Sequence, residues 1–210
     1  MLAKDTGEDG EVLSFYVTLP FKYHIILVDL VNKTMSEPSI TCRGTTYKSA
    51  FVRYGCYRPQ FLAIAAHDTL IVTTNHGLYG LNIQSRVLEH YTNPNVTFSD
   101  HPLDGEFGQG VIGNAGPLTP IPGHEGLFIF ADFHFRSIRL VDINKRTIRT
   151  LCFGDPKHYA KQKTAGDIQL CNISQPYSVM FRGNATNEII IGNGYLITYM
   201  YLDIKGEYNG

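Results

Sequence analysis

Four short stretches share one pattern and recur along the chain: "LVDL" at residues 27–30, "GLNI" at 80–83, "LVDI" at 140–143 and "YLDI" at 201–204. Their polar residues, Asp29, Asn82, Asp142 and Asp203, are spaced by 53, 60 and 61 positions. Each is followed by turn chemistry: "VNK", "QSR", "NKR" and "KGE". An Asp or Asn closing an apolar run can accept a hydrogen bond from the backbone a few residues on and so open a turn. The pattern therefore predicts one hairpin made four times, with each marker ending a strand; a metal role for these side chains is the lesser alternative.

A second element recurs upstream of the marker. "DTLIVTTNHGLYGLNI", "GLFIFADFHFRSIRLVDI" and "NEIIIGNGYLITYMYLDI" each give an apolar strand, a short polar break and another strand. Ahead of these lies a third apolar stretch: "PQFLAIAA", "GPLTPIPG" and "QPYSVMFR". The unit is thus strands A, B and C, a hairpin, strand D and a longer connection. Thirteen Tyr, 12 Phe and frequent β-branched residues among 20 Gly fit strands better than helices. Four antiparallel strands repeated at a fixed period predict an all-β fold, a β-propeller of about four blades at residues 11–44, 59–92, 116–154 and 175–210. The first unit reads as lacking strand A and the last as lacking strand D. The expectation is one propeller domain or fragment over residues 1–210.

Composition excludes some classes of function. A formal net charge of -1 leaves no basic excess to hold a phosphate backbone, so nucleic acid is not an expected partner. No apolar run approaches the roughly 20 residues of a membrane helix, so no direct membrane insertion is expected. The opening "MLAKDTGEDGEV" lacks the basic and then apolar order of a secretory leader. Against that, four N-x-S/T sequons occur, at Asn32, Asn95, Asn172 and Asn184, more than chance gives from twelve asparagines. The reading is a piece of a longer secreted, extracellular or luminal protein with these four as glycosylation sites; the alternative is a cytoplasmic chain.

The four cysteines support the oxidising compartment. Cys42 and Cys152 close a strand D in "TCRG" and "LCFG", while Cys56 and Cys171 each precede a strand A. Position favours disulfides Cys42–Cys56 and Cys152–Cys171. Free thiols and a zinc site are the alternatives, the latter without any CxxC spacing. His76 and His134 occupy equivalent breaks between strands B and C, where imidazoles could face a central channel as metal ligands or a general base. Asp100, Asp104 and Glu106 share one loop and could bind Ca²⁺, although their spacing is not that of an EF-hand. "GQGVIG" at 108–113 has no βαβ context and reads as a flexible connection. No catalytic residue and no cofactor is assigned.

The stretch "GLFIFADFHFRSIRLVDINKRTIRTLCFGD" resembles an NHL-repeat blade, through Ala131, Asp132, His134, Arg136, Ile138, Asp142 and Gly154. The match is partial in residues 59–91. The resemblance implies a six-bladed ring of which this chain would be an arc. It also implies an interaction platform, or in a minority of the family a secreted metal-assisted lyase or hydrolase using Ca or Zn near the axis. The leading expectation is a non-catalytic module binding a protein partner or the remainder of its own chain, with exposed tips such as Tyr57 and Tyr79. The other readings are the metal-assisted enzyme, with His76 and His134 at its axis, and an architectural subunit of a filament or large complex.

Overall fold

The computed structural model describes residues 2–6, 12–19, 24–36, 41–42, 59–66, 69–74, 77–85, 87–94, 101–154, 169–171, 173–183 and 188–201. Among the described residues the regular structure is entirely strand, arranged as four sheets. The first contains β1 (Leu2–Thr6), β2 (Val12–Leu19), β3 (His24–Asp29) and β4 (Thr34–Ser36), in that order. The second is built from β5 (Thr41–Cys42), β6 (Pro59–Ala66), β7 (Thr69–Thr74), β8 (Gly77–Asn82) and β9 (Val87–His90). Its order is β6-β7-β8-β9-β5. The third comprises β10 (Gly105–Glu106), β11 (Thr119–Pro120), β12 (Leu127–Asp132), β13 (Ser137–Asp142), β14 (Thr147–Phe153) and β15 (Gln169–Leu170). It runs β11-β12-β13-β14-β10, with β15 also paired to β14. The fourth is β16 (Pro176–Phe181), β17 (Glu188–Asn193) and β18 (Leu196–Tyr201).

The sheets are the blades expected from the repeat. Residues such as "TLIVTT", "LFIFAD" and "EIIIGN" suit strands buried on both faces because β-branched and aromatic side chains pack well on a pleated surface. Three apolar cores lie between successive blades. Tyr16 and Ile25 of blade 1 pack with Leu70, Val72 and Leu81 of blade 2. Ile71 and Leu78 pack with Phe128, Phe130 and Val141 of blade 3. Ile129, Ile138 and Leu140 pack with Val179, Ile189 and Ile191 of blade 4. Every residue of β12 and β13 is buried, whereas β17 alternates buried with half-buried and β18 is largely exposed.

The marker residues do what their chemistry predicts. Asp29, Asn82 and Asp142 each end strand C, and each accepts the backbone N–H three residues later, from Asn32, Ser85 and Lys145 at 2.9, 2.7 and 2.8 Å. In two of these turns the fourth residue is left-handed: Lys33 at φ 54° and Arg146 at φ 55°. These Asn32 hydrogen bonds, the backbone one above all, hold the Asp29 carboxyl below its ordinary value. Asp203 lies outside the described residues.

Several expectations are corrected. Blade 1 does have a strand A, β1, antiparallel to β2 and packed against β6. Its sequence "LAKDT" carries no apolar run to mark it as a strand. Cys42 does not close strand D of blade 1, which is β4; it lies on β5, parallel to β9 at the outer edge of blade 2, with Cys42 opposite Leu88. In "GPLTPIPG" the strand is cut to Thr119 and Pro120, with single hydrogen bonds from Gly116 and Ile121 to β12 on either side, since the prolines have no N–H to give to a ladder.

Asp142→Ala removes a buried turn acceptor, with Asp142 only 2% exposed. We expect it to lower stability by about 1 kcal/mol in a urea melt, and Asp142→Asn, which keeps an acceptor oxygen, to lower it less. Equal losses for the two would show that the hydrogen bond is not what holds the hairpin.

Candidate functional site

In blades 3 and 4 the turn between strands B and C and the connection entering strand A meet at one end of the blade. Asp132, the last residue of β12, organises this end in blade 3. Its Oδ2 accepts the N–H of Gly113 at 2.8 Å, and its Oδ1 accepts those of Asn114 at 3.1 Å and Phe135 at 3.3 Å. One carboxylate thus ties the incoming connection to the B–C turn. The turn repeats the hairpin device, with an acceptor at Asp132, a donor three residues on and a left-handed Arg136 at φ 50°. Gly113 is required here, because a Cβ would lie 2.5 Å from the Cβ of His134. Blade 4 uses a neutral version: Asn193 Oδ1, at the end of β17, accepts the N–H groups of Ser174 at 3.0 Å and Gln175 at 2.7 Å.

Beneath this end lies a buried charge network. The Arg139 side chain is fully buried on β13. Its Nη1 donates to the carbonyl of Val111 at 3.0 Å, and its Nη2 to the carbonyl of Leu103 at 3.0 Å and to Asp104 Oδ1 at 3.1 Å. Asp132 Oδ2 lies 3.7 Å from Nη1. Asp104 also accepts Thr150 N–H at 3.0 Å and Thr150 Oγ1 at 2.7 Å. Arg139 Nε and Ser137 Oγ, both buried, have no protein partner among the described residues. A buried guanidinium is tolerable only when its charge and its N–H groups are met in this way. The long connection to blade 3 is therefore ordered, and the expectation that "GQGVIG" is a flexible connection is corrected. Asp104, read as a Ca²⁺ candidate, is engaged by Arg139 and Thr150; Asp100 lies outside the described residues.

A second anchor sits at the rim. Phe107 stacks on Tyr91 with ring centroids 3.8 Å apart, and the Arg146 guanidinium carbon lies 5.1 Å from the Phe107 centroid. Arg146 Nη2 donates to Glu89 Oε1 at 2.6 Å, between blades 3 and 2. Both partners are well exposed, so the pair is worth at most about 1 kcal/mol. Burial, with Glu89 adding to it, raises the Tyr91 phenol to about 12.

Above the network, at the junction of blades 3 and 4, Phe133 stacks on Tyr177 with centroids 4.7 Å apart and an interplanar angle of 22°. Tyr177 is half-exposed, while His134 and Arg136 beside Phe133 are exposed. Tyr195, on the B–C turn of blade 4, is fully exposed. This gives an aromatic patch flanked by an imidazole and a guanidinium, on turns fixed from below. At the opposite end of blades 2 and 3 a shallow cleft of about 530 Å³ is lined by Ile64, Ala65, Pro120, Pro122, His124 and Phe128.

The residues singled out by sequence are placed as follows. Cys152 and Cys171 form a disulfide with Cα atoms 5.7 Å apart, tying strand D of blade 3 to the entry into blade 4. Closing this loop contributes about 3 kcal/mol in the chain-entropy picture. Cys56, His76, Asn95, Asn172, Asn184 and Tyr57 lie outside the described residues, so a Cys42–Cys56 bond is not tested. Asn32 is exposed, and its amide nitrogen donates to Asp29 Oδ2 at 2.8 Å. His134 belongs to no group of three His, Cys, Asp or Glu placed to hold a metal among the described residues. Tyr79 is not an exposed tip: it is 4% exposed in the core between blades 1 and 2, because β8 turns it inward. Sequence reading passed over Arg139, Asp104 as its partner, and the Phe133–Tyr177 stack. The available signal was one arginine inside the otherwise apolar "SIRLVD".

No family model matches the chain, and no curated protein matches it. Solved structures do. An auxiliary nutrient binding protein from Bacteroides thetaiotaomicron matches at a TM-score of 0.61 and 11% identity, over 94% of this chain and 47% of that one. The extracellular domain of a hybrid two component system from B. thetaiotaomicron matches at 0.56 and 10%, over 97% and 23%. A chain of the nidogen/laminin complex matches at 0.55 and 9%, over 96% and 58%. At these identities the likeness establishes the fold, a β-propeller. The chain spans about half the length of the first of these. No helix among the described residues is long and apolar enough to cross a membrane.

Arg139→Met takes the cation from buried Asp132 and part-buried Asp104, and we expect a loss of about 3 kcal/mol in denaturant melts. Adding Asp104→Asn should restore part of that loss; strictly additive losses would mean the two residues are not coupled. Burial depresses the His90 pKa below its ordinary value, so folding favours the neutral imidazole. The unfolded chain then binds protons first on acidification. The resulting stability is present above about pH 6.5 and is lost as pH falls below it. Melting temperatures between pH 7 and 5 should fall less steeply in His90→Gln than in the wild type; parallel curves would remove His90 as a cause.

Proposed function

We propose that this chain is a non-catalytic, NHL-type propeller module of an extracellular or luminal protein, and that it binds a protein partner through the B–C face of blades 3 and 4. The carrying observation is the Phe133–Tyr177 stack beside exposed His134, Arg136 and Tyr195, on turns clamped by Asp132 and Asn193. Aromatic and arginine side chains held rigid before contact are what binding hot spots require, because little conformational entropy is then lost on association. The four blades form one propeller unit in this reading.

The Cys152–Cys171 disulfide supports an oxidising compartment. In that compartment Cys42 and Cys56 pair in the same local manner, and Asn32, Asn95, Asn172 and Asn184 are the glycan acceptors. The matched structures include an extracellular domain, a nutrient binding protein and a protein–protein complex, and this company supports the reading. No metal or cofactor takes part in it.

A photo-crosslinking side chain placed at His134 or Tyr195 should capture one protein from the chain's native surroundings, and the same side chain at His124 should not. Against that purified protein, Tyr177→Ala and His134→Ala should each weaken binding about tenfold or more, which is about 1.4 kcal/mol. Their circular dichroism should stay unchanged. Equal affinity for both variants and the wild type would sink the proposal.

A further inference from the structure

The Cys152–Cys171 disulfide is enclosed in the junction of blades 3 and 4. Cys152, on β14, is 0% exposed, and Cys171, just past β15, is 3% exposed. Both belong to the apolar core that Ile138 of blade 3 shares with Ile189 and Ile191 of blade 4. Backbone pairing fixes them from the blade 3 side. Cys152 stands opposite Ile138 on one flank and Gln169 on the other, and the Cys171 N–H donates to the Phe153 carbonyl at 2.7 Å.

From blade 4 a thioether reaches the disulfide. Met200 Sδ lies 3.9 Å from Cys152 Sγ, a packing contact between two sulfurs that carry no hydrogen. Met200 is on β18 opposite Ile189. It and Thr198 are half-buried in a strand whose other four residues are exposed. Half-buried itself, Met200 stands between the Cys152 sulfur and solvent. Among the described residues β18 pairs with β17 alone. A strand that buries so little apolar surface opens at lower cost than the fold as a whole.

We propose that the Cys152–Cys171 bond is a gated redox latch, and that β18 is the gate, acting through Met200. Thiol–disulfide exchange needs a thiolate in contact with one of the two sulfurs. While β18 lies on β17, Met200 holds that place at Cys152; when β18 lifts, the sulfur is open to a dithiol reductant. The first thiolate of the dithiol bonds to Cys152 Sγ, the Cys152–Cys171 bond breaks, and Cys171 leaves as a thiolate that takes up a proton. The second thiolate of the dithiol then attacks its partner sulfur in the mixed disulfide. Cys152 is released as a thiol, and the dithiol ends as a cyclic disulfide, oxidised by two electrons. The latch holds the entry to blade 4, where the N–H groups of Ser174 and Gln175, just past Cys171, are donated to Asn193 Oδ1. The inference rests on the packing of blades 3 and 4 and not on the partner face, since its readout is reduction and not binding.

The native chain is treated with dithiothreitol without denaturant and alkylated at intervals, and the peptides carrying Cys152 and Cys171 are weighed. Met200→Ala should be reduced about tenfold faster than the wild type or more, and Met200→Leu, which keeps the bulk, within about twofold of it. Val179→Ala truncates the same core from β16, away from β18, and should stay within about twofold of the wild-type rate although it lowers global stability. Urea melts put the three variants on one stability scale. Acceleration by Val179→Ala and Met200→Ala in proportion to their losses of stability would mean that the bond opens only by global unfolding, and would overturn the proposal. So would a wild-type chain reduced as fast as the urea-unfolded one, or Met200→Ala reduced at the wild-type rate.

Discussion

A blade with apolar residues on both faces can exclude water from them only by lying between two other blades. That requirement shapes this chain from end to end. Leu70 and Ile71 point to opposite sides of β7, and both are fully buried because blades flank them on either side. Each such side chain contributes about 1.5–3 kcal/mol by leaving water. Without that cover a blade would lose the stabilisation that burial of its apolar faces supplies. Strand β12, "LFIFAD", is buried throughout, whereas β17, "EIIIGN", is buried only on alternate residues. Blade 3 has a described neighbour on each face, and β17 packs on blade 3 through Ile189 and Ile191.

The Arg139 network is the exception to this apolar logic, and its position explains it. Arg139 stands opposite Phe130, where blade 2 has Tyr79 opposite Val72 and blade 4 has Thr198 opposite Ile191. Blade 3 receives the connection 101–118, in which Leu103 and Val111 exchange backbone hydrogen bonds and each carbonyl also accepts from Arg139. A carbonyl oxygen has two lone pairs, and one guanidinium takes up the second on both, which holds the bridge against blade 3. Asp104 and Asp132 then balance the buried charge, and each is bonded in turn to backbone N–H groups. The network makes a rigid base from a segment that its glycines would otherwise leave mobile.

How much of this was legible in the sequence depended on how local the cause was. Asp29, Asn82 and Asp142 act on backbone three residues away, so their spacing exposed both the hairpins and the repeat. The Cys152–Cys171 pairing was legible for the same reason, since it closes a short loop between two recognised strands. Arg139 and Asp104 are 35 residues apart, and no periodicity links them. Phe133 and Tyr177 belong to different blades and meet only after those blades stack. Strand β1 was missed because "LAKDT" has no apolar run, and β5 because two residues in parallel pairing leave no pattern. Tyr79 was misplaced for a related reason: it lies beside a polar break, but the pleat turns it into the core.

The two faces of blade 4 are mechanically connected. Tyr177 of the aromatic patch and Met180 on the outer face of blade 4 are three residues apart on β16, separated by an irregular register at the start of that strand. Strand β16 itself is held to blade 3 by Val179 in the shared core and by the Thr119 hydroxyl, which donates to the Val179 carbonyl at 2.5 Å. Packing on the outer face of blade 4 therefore bears on the same strand that fixes Tyr177 against Phe133. Strand β16 thus carries both Tyr177 of the aromatic patch and Met180 on the outer face of blade 4, and its hold on blade 3 sets where each of them stands.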